Sequence, residues 1–142
     1  MRFIPTGVLI VMFAALAGCT GKDDRKGPGA DAKADFSMSC EELGGEHDRH
    51  PKETDQKYLG KTIELTGRFH LVETRTNKSV PEENGLFVMM SHTTNCRFPD
   101  SEKAALSKLK EGDVITVVGV YRVVEAKNYM YLDNCRLRPT AK

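Results

Sequence analysis

One pattern occurs twice in this chain. Residues 60–69 read GKTIELTGRF and residues 112–121 read GDVITVVGVY, so that Gly60 aligns with Gly112, Ile63 with Ile115, Gly67 with Gly119 and Phe69 with Tyr121. In the first copy Ile63, Leu65, Phe69 and Leu71 alternate with Thr62, Glu64, Thr66, Arg68 and His70, the period-two signature of a half-buried strand. A glycine inside such a run marks a bulge or tight bend, the means by which a strand turns a corner. Two matching bent strands point to a small β-barrel.

The other elements fall around this pair in order. Ser39 followed by Cys40-Glu41-Glu42-Leu43 reads as a helix start with Glu42 as the capping-box partner, although Gly44-Gly45 weakens it. Residues 46–56 are polar and predict a loop or a broken helix. Residues 74–84 predict a polar hairpin loop, Leu86 to Met90 a second strand and Thr93 to Phe98 a third. Pro99-Asp100-Ser101 caps a helix with Ala105, Leu106 and Leu109 on its apolar face and Gly112 just past its end. Val114–Val124 and Tyr129–Leu137 are the fourth and fifth strands. Three strands, a helix and two strands predict an all-β fold with one inserted helix: a five-stranded OB-like Greek-key barrel preceded by a short N-terminal helix.

Residues 58–137 carry Tyr58-Leu59-Gly60-Lys61, Leu65-Thr66-Gly67, Asn95-Cys96-Arg97-Phe98, Leu109-Lys110-Glu111-Gly112-Asp113, Val118-Gly119 and a late Cys135. This stretch resembles the bacterial OB domains known as the tRNA anticodon-binding-like family. The resemblance implies the barrel; its motifs are structural and imply no particular activity.

At the N-terminus Arg2 precedes an apolar run, residues 3–16, and then Leu16-Ala17-Gly18-Cys19. That is the form of a secretion signal, too short to cross a bilayer, which takes about 20 apolar residues. Leu-Ala-Gly-Cys resembles the lipobox of bacterial lipoproteins, which implies removal of residues 1–18 and acylation of Cys19. Two or more acyl chains hold a protein on a membrane stably. Residues 20–35 contain no large apolar side chain, so residues 19–36 read as a lipidated flexible tether reaching roughly 20–25 Å. Residues 37–57 lead into the barrel, and residues 58–139 form it. The expected location is the cell envelope, at the outer membrane facing the periplasm in a diderm, since Thr20 rather than Asp follows the lipidated cysteine.

Losing Arg2 with the signal leaves 20 basic residues against 20 acidic ones. Nucleic-acid binding rests on a basic excess that neutralises phosphates, so nucleic acid is not an expected partner. The expected partners are the membrane, through the lipid on Cys19, and another envelope protein or a small ligand.

Of the remaining cysteines, Cys96 and Cys135 share the phrase Asn-Cys-Arg-apolar on strands that adjoin in an OB barrel. A bridge between them is favoured over Cys40–Cys96, Cys40–Cys135 or none, because spacing alone cannot fix connectivity. Cys40 with His47 and His50 is the alternative metal site, but glycines follow the cysteine and a fourth ligand is unspecified, so the reading is of no metal and no cofactor. No nucleophile motif or phosphate-cradling glycine loop is present, and a non-catalytic binding or interaction domain is expected. Its ligand face, if aromatic stacking and cations do the binding, would use Phe87, Arg97, Arg136, Tyr131 and Arg68, with Tyr129 nearby. An oligonucleotide- or oligosaccharide-binding domain is the alternative to an interaction module, and a metal-handling lipoprotein is a third reading.

Overall fold

The computed structural model describes residues 27–91, 94–124, 127 and 129–139. The signal, Cys19 and His92 lie outside them. The chain enters through β1 (Phe36–Ser39), which pairs in parallel with the first half of β2 (Thr62–Arg75), Phe36 opposite Ile63 and Ser39 opposite Thr66. This strand is an addition to the five expected. Its four residues alternate as Phe-Ser-Met-Ser, with Phe36 and Met38 packed against the core, but the run is too short to announce a strand alone and takes its partner from the free edge of β2.

Ser39 then caps α1 (Cys40–Arg49) with the expected capping box: its hydroxyl accepts from Glu42 N at 3.1 Å, and its own N–H donates to the Glu42 carboxylate at 2.7 Å. The helix continues through Gly44-Gly45. Each glycine costs about 1 kcal/mol relative to alanine, which the cap and the burial of Cys40 and Leu43 offset. Pro51 stands at the first turn of α2 (Pro51–Tyr58), where its missing N–H is harmless, so of the two forms expected for residues 46–56, a loop or a broken helix, the structure takes the broken helix, interrupted at His50.

The domain is mostly β, with six strands in one sheet ordered β1, β2, β3 (Gly85–Met90), β4 (Thr94–Phe98), β6 (Tyr129–Leu137) and β5 (Val114–Val124). β2 also pairs with β5, so strands β2 to β6 form a closed ring of neighbours in an OB-like order. Between β4 and β5 lies α3 (Lys103–Leu106), shorter than the expected helix. Within it only Leu106 is buried, Leu109 packs against the core from the turn that follows, and the Asp113 carboxylate accepts from Lys110 N at 2.8 Å to turn the chain into β5.

The sequence repeat becomes a local two-fold axis. β2 and β5 are antiparallel with Leu65 opposite Val117, so Ile63 faces Gly119 just as its repeat equivalent Ile115 faces Gly67. The ends match as well. Gly60 N donates to Tyr121 O at 3.0 Å and Gly112 N to Phe69 O at 2.8 Å, both glycines with positive φ. At the centre the Thr66 and Thr116 hydroxyls meet at 2.9 Å.

The inner glycines serve close approach. A Cβ at Gly67 would collide with the Cys40 sulfur, and one at Gly119 with the Cys135 sulfur. The irregularity in β2 falls later, between Phe69 and Leu71. Cys40, Cys96 and Cys135 are all free and fully buried, and Cys96 donates to the Met90 thioether at 3.7 Å. The bridge expected between Cys96 and Cys135 is therefore not formed here, although β4 and β6 are neighbours as that expectation required.

Burial pushes the Cys40 thiol up to about 12, with Cys96 adding to the rise and hydrogen bonds from Ser91 and Thr94 opposing it. The folded state thus holds a proton that the unfolded chain releases near pH 9, so this contribution to stability is complete below pH 9 and is lost as pH rises toward 12. Urea unfolding across that range is expected to show a falling midpoint that Cys40→Ala flattens; a midpoint equally steep in the variant would refute the assignment.

Residues 27–35, expected as free tether, lie against the ring instead. The Arg138 guanidinium donates to the carbonyls of Ala30 and Ala32 and, through Nε, to Glu64 at 2.9 Å. Asp35 N donates to Thr62 O at 2.8 Å, and Thr62 N donates back to the Asp35 carboxylate at 2.9 Å.

Candidate functional site

Cross-strand register brings some of the predicted ligand residues together. Glu73 stands opposite Phe87, Phe87 opposite Arg97, and Asn95 opposite Tyr131, so one outward face runs across β2, β3, β4 and β6. Phe87, Tyr131 and Val124 form an apolar cluster separate from the main core, against which Val80 and Tyr129 pack. Phe87 and Tyr131 have their ring centroids 6.3 Å apart, and Tyr129 stacks on Tyr131 at 6.2 Å.

Arginines cover the rings. Arg75 lies 4.5 Å from the Phe87 centroid and Arg97 5.4 Å from that of Tyr131. Both are held by acids. Arg97 forms a two-pronged pair with Asp133, at 2.7 and 2.8 Å, while Arg75 donates to Glu73, to Asn95 at 2.9 Å and to the Tyr129 hydroxyl at 3.1 Å. Burial is the largest influence on Arg97 and opposes its charge, but the hydrogen bonds to Asp133 and the Asp133 charge together outweigh it, so its pKa is raised. The loop after β2 folds over the same face: Val80 packs into the cluster, and Glu83 pairs with Lys127 at 2.8 Å. Phe87 is consequently 1% exposed and Tyr131 5%.

The other two predicted residues stand apart. Arg68 lies on β2 opposite Val114, and Arg136 pairs with Glu102 at 3.3 Å in the turn after β4. Arg75 and Asp133 were missed. Asp133 continues the alternation of Tyr129 and Tyr131, which places it on their face, whereas Arg75 sat in a segment read as loop.

Beside Arg97 opens a cleft of about 380 Å³ of mixed polar and apolar lining, formed by Asn84, Gly85, Arg97, Asp100, Asp133 and Asn134 together with Phe98 and Pro99. Asn134 holds a φ of 50°, and its N–H donates to Asp133 at 2.8 Å, which turns the backbone at the cleft wall. Cys40, His47 and His50 do not converge. The Cys40 sulfur is packed on Gly67, His47 Nε2 lies 3.6 Å from Asp55, and among the described residues no cluster of His, Cys, Asp and Glu could hold a metal ion.

The tRNA_anti-like family profile matches residues 2–136. The chain belongs to the tRNA_anti-like family. Among solved structures, this family member is similar to a candidate nucleic acid-binding lipoprotein from Klebsiella pneumoniae, with a TM-score of 0.58 at 19% identity over 72% of this chain and 91% of that one. It is also similar to part of RecG in a complex with a three-way DNA junction, with a TM-score of 0.50 at 16% identity over 73% of this chain and 12% of that one. At these identities the likeness is one of fold. No curated protein matches the chain.

Proposed function

We propose that this tRNA_anti-like protein is a lipid-anchored envelope protein whose five-stranded OB barrel is a non-catalytic binding module, and that its ligand enters the cleft at Arg97. The anchor reading rests on Leu16-Ala17-Gly18-Cys19, in keeping with a structural neighbour that is itself called a lipoprotein. The binding reading rests on one observation: Phe87 and Tyr131 are covered by their own arginines and loop, so what this face offers a ligand is the cleft beside the rings and not the rings themselves.

That observation also separates the two OB ligand classes. A nucleic-acid strand needs exposed rings to stack on and cations available to phosphate. Here the rings are buried, Arg97 and Asp133 neutralise each other, and the remaining charge of the cleft lining is Asp100, which would repel a polyanion. A mixed lining of Asn, Asp and Arg supplies donors and acceptors to a neutral, hydroxyl-rich molecule, so an oligosaccharide is favoured over an oligonucleotide. The name of the Klebsiella neighbour keeps the oligonucleotide as the second reading.

Amide shifts in a nitrogen-labelled sample would decide. Adding a chito-oligosaccharide is expected to move Gly85, Phe98 and Asn134 with little dependence on salt. Binding of an oligothymidylate that weakens steeply between low and physiological salt would overturn this choice.

A further inference from the structure

Residue 27 sits on Asn134, so closely that a Cβ there would collide with the Asn134 side chain and carbonyl, while Gly29 has open space around it. From there to residue 35 the segment is fastened at three places: Gly27 on Asn134, the carbonyls of Ala30 and Ala32 on Arg138, and Asp35 on Thr62. Ala32 N closes a turn onto Gly29 O at 3.0 Å. Arg138 is itself fixed, through Glu64 and through its own N–H to Thr116 O at 2.8 Å, and its side chain is 18% exposed. A guanidinium spending its donors on two main-chain carbonyls is a built clamp, and it reads the path of the backbone rather than any side chain.

We infer that residues 27–35 are a strap, locked by Arg138, that holds the domain on the lipid surface with its Asn134 side, and so its cleft, turned toward the membrane. The inference rests on acylation of Cys19. Seven residues, or eight Cα-to-Cα steps, separate Cys19 from Gly27, a reach of at most about 30 Å at full extension. Gly27, the described residue nearest Cys19 along the chain, lies on Asn134, which lines the cleft, so the cleft stands within that reach of the lipid. A domain on a sixteen-residue free tether would tumble with no preferred side. The strapped one presents its cleft to molecules at the membrane surface, which fits a ligand embedded in or growing from that surface.

The test is full-chain protein purified from its membrane and returned to lipid nanodiscs carrying a gadolinium headgroup lipid. Amide signals of Gly85, Phe98 and Asn134 are expected to broaden most in the wild type. In Arg138→Met and in Gly27→Val the broadening should become even across the domain, and amide exchange at Ala32 and Asp35 should accelerate by about tenfold or more. Gly29→Ala should behave as wild type. Even broadening in the acylated wild type, or unchanged exchange in both strap variants, would overturn the inference. Intact mass on the same sample separates the two claims: a mass without acyl chains on Cys19 removes the anchor and this inference with it, whatever the exchange data say about the strap.

Discussion

Gly119→Ala is expected to lower the unfolding free energy by about 3 kcal/mol, the upper part of the range for overpacking a filled core. For a domain of this size that corresponds to a fall in Tm of roughly 15 °C. The added methyl would meet the Cys135 sulfur at 2.5 Å, the Asp133 carbonyl oxygen at 3.1 Å and the Leu132 Cβ at 3.2 Å. Two of these neighbours are backbone or Cβ atoms of β6, which cannot swing aside as the end of a flexible side chain could. Gly67→Ala meets the Cys40 sulfur and, at 3.0 Å, the Cys40 Cβ. Its cost should therefore be relieved in part by Cys40→Ala, whereas Cys135→Ala should rescue Gly119→Ala less. Thermal denaturation of the singles and doubles measures this. A Gly119→Ala protein that melts within about 2 °C of wild type would show that the ring yields at this point and that the packing argument fails.

Asp133→Ala is the second large effect. It strips Arg97 of a two-pronged partner while Tyr131 still holds the guanidinium against the ring face. Removing one member of a buried ion pair costs 3–5 kcal/mol, and with side-chain exposures of 26% and 11% the screened expectation is about 2 kcal/mol. The double variant Arg97→Met with Asp133→Leu removes both charges and should be more stable than Asp133→Ala alone. A double-mutant cycle by urea denaturation reads the coupling. The double variant also tests function, because it should fold while losing oligosaccharide binding in the cleft. Retained binding would separate the ligand from Arg97.

Those two experiments probe different depths of legibility. The repeat was visible as spelling, and its spacing put Gly67 and Gly119 at equivalent places, yet the sulfurs they admit come from Cys40, well before the repeat, and Cys135, beyond it. Likewise, alternation predicted that Tyr129 and Tyr131 share a face, but not that Arg75 would reach that face from β2 and seal it. The shift between Phe69 and Leu71 resets which β2 residues point outward, and no local signal announces it.

By itself the sequence determined the parts governed by local period and local caps. The bounds of β5 and β6, the Ser39 capping box, and the pairing of the two repeat strands follow from alternation, side-chain-to-backbone bonds and glycine placement within a few residues. Only the tertiary structure decided the rest. β1 exists because β2 had an edge to pair, the aromatic face is closed because its own loop and arginines reach it, and residues 27–35 are ordered because Arg138 meets them from the far end of the chain. Each of these joins groups distant in sequence, so each depends on contacts that exist only in the folded chain; a polar, glycine-rich segment carries no sign of such an attachment in its own residues.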